Sequence, residues 1–257
     1  MFKQPLHFPF ATGLPLVMAC HFTDIYDVNR SIILPNDQFS LVSNWAQSLQ
    51  AHQVNGIIFH NNFSDATCLQ YQHPNLSFIQ VNYDKSFKPN VYRYIVYREF
   101  LRLYAAKMSS VFLTDVSDVV MVNNPFIDPF FTSNTGTLFC GDEPIPLENE
   151  WMFHHSLHLR TKIANFSSFE AAFRQATLLN CGIIGGNISI INNFINQLAD
   201  IHVQYNCNNT TPYTGDMGAF NYLARSYFND CLVHGYPVNT VFKAYENLRQ
   251  DCWFRHK

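Results

Sequence analysis

The run Val111-Phe-Leu-Thr-Asp115-Val-Ser-Asp118-Val-Val-Met-Val-Asn-Asn-Pro-Phe126 sets two carboxylates between two apolar runs. A short apolar run bounded by turn residues reads as a buried strand, so the chain must carry a sheet in which one strand ends at an acidic bend. Positions i and i+3 of an uninterrupted strand point to opposite faces. Asp115 and Asp118 therefore converge only if Val116-Ser117 bends the backbone. Converged, they suit a hard divalent cation that takes its remaining ligands from water and substrate phosphates. The competing reading is a solvated surface turn, since Asp is common in turns for local reasons. Two strongly apolar runs this close together weigh against it.

Around the turn, strand-like and helix-like segments alternate. Leu14 to Phe22 reads as a first buried strand, with His21-Phe-Thr-Asp24-Ile-Tyr26-Asp27 as the loop leaving it. A helical period covers Asp37 to His52, strands follow at Gly56 to His60 and Ser77 to Val81, and Val91 to Lys107 is a helix leading into the acidic-turn strand. Further on, strands are expected at Gly136 to Cys140, Cys181 to Asn187 and Cys231 to His234, and helices at Ser168 to Leu178, Ile190 to Tyr205 and Asp216 to Phe228. Leu147 to Arg160 shows no clear period. The alternation predicts an α/β chain with a mostly parallel sheet covered on both faces. In such sheets ligands sit where loops leave the carboxyl ends of strands. With 257 residues, 47% of them apolar, a single domain is expected.

Composition removes several functions. A net charge of −3 with only 14% charged residues gives no basic field for nucleic acid. The seven cysteines are scattered and form no Cys-x-x-Cys pair, which argues against a disulfide framework or a zinc site and for a reducing compartment. Leu14 to Cys20 is too short to span a bilayer and nothing later qualifies, so no transmembrane segment and a cytoplasmic location are expected.

Strand, acidic turn, short strand and Asn-Pro-Phe together resemble the metal-binding segment of GT-A glycosyltransferases. The four-residue form Asp115-Val-Ser-Asp118 looks most like the Asp-x-x-Asp variant in the glycosyltransferase domains of collagen lysyl hydroxylases. The resemblance implies a GT-A, Rossmann-like fold. It also implies Mn²⁺ or Mg²⁺ at Asp115 and Asp118, a nucleoside diphosphate sugar as donor, expected to be UDP-linked, and transfer of a hexosyl or pentosyl group to a hydroxyl of a glycan or glycoconjugate. Residues from 1 to about 125 would then form the nucleotide-sugar half and those from about 126 to 257 the acceptor half.

The other motifs carry the resemblance along the chain. Paired glycines in Leu179-Asn180-Cys-Gly182-Ile-Ile-Gly185-Gly186-Asn187 mark either a close approach to the backbone or close packing of strand on helix. The pattern resembles a GT-A segment beneath the donor sugar, which assigns Asn180, Gly182, Gly185 and Gly186 to the donor. Asp216 has a local role as helix N-cap; the resemblance makes it face the sugar and, in inverting members, act as general base. By the same likeness His234 is the third metal ligand, and His256 and Lys257 fold over the diphosphate, though a terminal Arg-His-Lys can equally be a solvated tail. Arg93 and Arg98 are candidate donor contacts or solvated helix charges, and one of them could simply pair with the acidic turn. Asp24, Tyr26 and Asp27 are candidates for base or ribose. Ser117 is an alternative to Asp118 as ligand, and retention or inversion stays open.

His154 and His158 stand at i, i+4 but lack the Glu of a His-Glu-x-x-His zinc motif, and their segment reads better as an acceptor loop following Glu143. Two rivals remain. A nucleotidyltransferase usually carries a Gly-rich basic loop after its first strand, which His21-Phe-Thr-Asp24 is not. A non-catalytic glycan-binding protein on the same fold would more often have lost one of the two acids.

Overall fold

The computed structural model of the protein describes residues 1–27 and 31–257, the side chain of Asp27 excepted. Its strands are β1 (Leu14–His21), β2 (Tyr26–Asp27), β3 (Ile32–Ile33), β4 (Asn55–His60), β5 (Leu76–Gln80), β6 (Met108–Thr114), β7 (Val119–Met121), β8 (Leu138–Pro146), β9 (Thr177–Asn187), β10 (Leu232–His234) and β11 (Phe254–His256). The helices are α1 (Ser43–Ala51), α2 (Asp65–Gln70), α3 (Pro89–Tyr104), α4 (Pro129–Ser133), α5 (Glu150–Arg160), α6 (Phe166–Phe173), α7 (Ile188–Tyr205) and α8 (Asp216–Tyr227).

Seven strands form one sheet in the order β10-β8-β9-β6-β1-β4-β5. Only β9 runs against its neighbours; the other pairings are parallel. This is the mostly parallel α/β sheet that the alternation predicts, in a single domain. Successive residues of each central strand face opposite sides. Met18, Phe59 and Leu113 therefore enter one core with Tyr97, Phe194 and Phe220, while Val17, Ile58 and Phe112 enter the other with Trp45, Phe139 and Trp253.

Local chemistry sets the helix starts nearest the cleft. Pro89 opens α3 with a φ already suited to a helix. The Asn149 side chain caps α5 by accepting the Met152 amide at 2.9 Å. On α7, Ile191, Phe194, Ile195, Leu198 and His202 recur at helical spacing and turn one face inward, where the helix packs against α3.

Three expectations are corrected. Leu147 to Arg160, without a clear period, contains α5, which its cap and packing on α8 hold helical. The helix expected over Ser168 to Leu178 ends at Phe173, and Thr177 already begins β9. The C-terminal tail is not frayed: Trp253 and Phe254 are 1% exposed, and Phe254, Arg255 and His256 pair antiparallel with Met121, Val120 and Val119.

Candidate active site

At the carboxyl ends of β1, β6 and β8, and the opening half of β9, lies a cleft of about 1440 Å³. The amino ends of α3 and α8 reach into it with Arg93 and Asp216. After Thr114 the backbone leaves the sheet and bends through Val116–Asp118 before resuming as β7, so the two aspartates do converge.

What completes the group is the C-terminus. The ladder of β11 on β7 sets His256 opposite Val119, and the Lys257 amide donates to the Asp118 carbonyl at 3.0 Å. Among the described residues, ligand atoms of Asp115, Asp118 and His256 all lie within 4.8 Å of one another. Burial holds the His256 pKa at about 4, so the ring is neutral near pH 7 and keeps a lone pair to give. Among the described residues its buried Nδ1 has no hydrogen-bond partner. Two carboxylates and a neutral imidazole with an orphaned nitrogen fit a manganese-type cation.

The floor of this group is Gly182. Register pairs Thr114 with Ile183, and the Asp115 amide donates to the Gly182 carbonyl at 2.8 Å. A Cβ on Gly182 would lie 2.5 Å from His256 Cε1 and 2.8 Å from Asp115 Oδ2. Only glycine leaves both side chains where they are.

Arg93 joins the acidic turn to α8. Its guanidinium donates to Asp115 Oδ1, to Tyr94 Oη at 2.9 Å and to Cys181 Sγ at 3.1 Å, and lies 3.6 Å from Asp216 Oδ2. Burial opposes its charge, but Tyr94, Asp115, Cys181 and Asp216 around it more than offset that, and it stays protonated. Burial likewise pushes the Asp216 carboxyl upward, yet Arg93, the hydroxyl of Thr214 and the rings of His155 and His202 outweigh it and hold the pKa below its ordinary value. Asp216 is thus a buried, ionised first residue of α8; the N-cap position belongs to Gly215, at φ 74°.

The remaining sequence candidates divide. Tyr26, Asn180 and Lys257 line the cleft. Asn180 is already engaged, accepting the Gly182 amide at 2.7 Å and donating to Glu143 at 2.8 Å. Asp24 is exposed at φ 59° outside the cleft lining, and the Asp27 side chain lies outside the described residues. Arg98 pairs with Asp200 at 3.0 Å and lines no part of the cleft. Gly185 and Gly186 serve packing: a Cβ would strike the Phe112 ring at the first and the Thr137 carbonyl at the second.

His234 must be corrected as third ligand. Its Nδ1 donates to Asp142 at 2.8 Å and its Nε2 accepts from Arg225 at 3.2 Å, at the β10 edge of the sheet and outside the cleft lining. His256 holds the place beside Asp115 instead. Sequence reasoning passed over Lys88 and Tyr213 as cleft residues, while Glu143 and Trp151 belong to the strand end and the segment expected as an acceptor loop. Pro at the start of α3 was the one available signal for Lys88. Three cleft or near-cleft thiols, Cys20, Cys140 and Cys181, are pushed well up by burial and are poor nucleophiles.

No protein-family model and no curated protein sequence matches this chain. Among solved structures it is similar to the galactosyltransferase LgtC in complex with donor and acceptor sugar analogues, with a TM-score of 0.50 at 14% identity over 95% of this chain and 86% of that one. At that identity the likeness shows the fold, which is GT-A.

Proposed function

We propose that the protein is a metal-dependent glycosyltransferase that moves a hexosyl or pentosyl group from a nucleoside diphosphate sugar, UDP-linked, to a hydroxyl of a glycan or glycoconjugate. The observation that carries this reading is the convergence of Asp115, Asp118 and His256 over Gly182, at the strand ends of a cleft large enough for two substrates. Asp115, Asp118 and His256 would hold Mn²⁺ or Mg²⁺, which when bound supplies positive charge to a departing diphosphate.

The protein's own groups do the rest. Arg93 fixes Asp115 through Oδ1 and so orients Oδ2 toward His256. Lys257, at the cleft edge, adds a cation for the leaving nucleotide. Asp216 is a weak proton acceptor because its pKa is depressed, but its fixed negative charge suits the oxocarbenium-like positive charge that develops at the anomeric carbon. That favours an electrostatic role over the general-base role the resemblance suggested. The donor half and acceptor half share one sheet, since β9 inserts beside β6, and His256 crosses from the second half to the first half's metal group. No helix among the described residues is long and apolar enough to cross a membrane, and we place the enzyme in the cytoplasm, where nucleotide sugars are soluble.

The test is release of nucleotide from a panel of UDP- and GDP-sugars with Mn²⁺, comparing wild type with an Asp115→Ala/Asp118→Ala variant. One donor should be consumed by the wild type alone. A wild type that consumes none of them overturns the reading.

A further inference from the structure

Outside the cleft lining, α5, α7 and the start of α8 meet on one buried side chain. Asn206, the residue that closes α7, is 1% exposed. Its side-chain carbonyl accepts from Nε2 of His158 on α5, and its amide nitrogen donates to Nδ1 of His202 on α7 at 2.8 Å. An amide oxygen can only accept and an amide NH₂ can only donate, so Asn206 dictates the role of a nitrogen in each ring. Burial lowers the pKa of His158 and takes that of His202 down to about 3, which leaves both rings neutral near pH 7 with the proton on Nε2. The same two side chains stand against Gly215, where a Cβ would lie 2.7 Å from His158 Nε2 and 2.8 Å from Asn206 Oδ1. Gly215 holds φ 74°, and the residue after it is Asp216.

From His202 a second path leads to Asp216. Tyr94 stacks on the His202 ring with centroids 5.1 Å apart and planes 17° from parallel, and Tyr94 Oη accepts from Arg93, which lies 3.6 Å from Asp216 Oδ2. The cluster therefore reaches Asp216 through the backbone at Gly215 and through the guanidinium that faces it. None of Asn206, His158 and His202 lines the cleft, so they can act on a substrate only through other residues. A junction that needed only cohesion would be filled at lower cost by apolar side chains. Here, among the described residues, the buried Nε2 of His202 has no hydrogen-bond partner, which detracts from stability. What the polar junction adds is a single arrangement, because amide and imidazole hydrogen bonds fix direction where apolar contacts do not.

We infer that Asn206 and His158 are positioning residues for Asp216: together they lock the Gly215 turn, and the turn sets where the carboxylate stands in the cleft. The inference rests on the glycosyltransferase reading for the reaction that Asp216 serves, and adds a control of its rate by residues outside the cleft. A displacement of about 1 Å at a reacting centre costs on the order of a hundredfold in rate. Binding of nucleotide and metal, which falls to Asp115, Asp118 and His256, is spared.

The experiment compares the wild type with Asn206→Leu, His158→Leu and His158→Gln. It reads thermal unfolding, UDP affinity with Mn²⁺ by calorimetry, and kcat and KM for nucleotide release from whichever UDP- or GDP-sugar the wild type consumes. Gln is the conservative replacement because its amide nitrogen can donate to Asn206 Oδ1 as His158 Nε2 does. Support is a kcat lowered by up to about a hundredfold in both leucine variants, with donor KM and UDP affinity near wild type and most of kcat restored in His158→Gln. If Asn206→Leu does not fold, the two His158 variants decide alone. A kcat within about twofold of wild type in His158→Leu overturns the inference and leaves the proposed function standing. So does a loss of kcat and UDP affinity together that His158→Gln shares, since that is a structural role only. A wild type that binds UDP and Mn²⁺ but consumes no donor overturns the proposed function and the inference with it.

Discussion

Replacing Gly182 by alanine tests the floor of the site with three atoms. The added Cβ would lie 2.5 Å from His256 Cε1, 2.8 Å from Asp115 Oδ2 and 2.9 Å from Asn180 Oδ1. Ordinary carbon contacts need ~3.5–4.0 Å, so the His256 ring must retreat by about 1 Å. Metal-ligand distances tolerate only about 0.2 Å, and displaced ligand geometry typically costs about ten- to a hundredfold in metal affinity. Overpacking the strand should cost about 1–3 kcal/mol, with a loss of about 2–4 °C in Tm per kcal/mol for a chain of this size. The expected result is a folded protein, melting several degrees lower, whose Mn²⁺-dependent UDP affinity falls at least about tenfold by calorimetry. Gly136→Ala is the control, because a Cβ there meets nothing within 4 Å. Wild-type UDP affinity in Gly182→Ala, or an equal loss in Gly136→Ala, would show that Gly182 is not the floor of a metal site.

Arg93→Met would strand the buried carboxylate of Asp216 and that of Asp115 without their guanidinium; a destabilisation of about 3–5 kcal/mol in urea unfolding is expected, and Arg93→Lys should rescue little of it because one ammonium cannot span both acids, Tyr94 and Cys181. Burial depresses His60 from 6.5 to about 4 and His202 to about 3. The unfolded chain therefore binds these protons first, and the stability they confer is complete above pH 6.5 and lost as pH falls toward 4, by roughly 3 kcal/mol for His60 alone. Unfolding free energies that stay level over that range would contradict this. His234→Asn should leave Mn²⁺-dependent UDP binding near wild type while His256→Ala abolishes it; the reverse pattern would restore His234 as ligand.

The elements that sequence made legible are those whose pattern is local. The strand into the acidic turn, the bend at Val116-Ser117 and the helices at Pro89–Tyr104 and Asp216–Tyr227 follow from apolar periodicity and turn residues. The third member of the metal group did not follow, because His234 and His256 are each a lone His at the end of a short strand. Which one reaches Asp115 depends on the β11–β7 ladder, a pairing across more than a hundred residues that no local pattern encodes. Paired glycines were ambiguous for a related reason. Gly182 and Gly185 lie three apart on β9, so one meets the site and the other the Phe112 ring on the opposite face. The helical form of α5 was hidden, because the helix is held by a cap and by contacts with α8 rather than by a clean apolar stripe; its segment had been expected as an acceptor loop.

In the proposed function Asp115 and Asp118, joined by His256, hold a divalent cation that carries a nucleoside diphosphate. Calorimetric titration of the wild type with UDP, with Mn²⁺ and with the metal chelated, beside the Asp115→Ala/Asp118→Ala variant, tests it most directly. Binding is expected by the wild type only when Mn²⁺ is present, and none by the variant. Equal UDP binding with and without metal, or binding retained by the double variant, would contradict it.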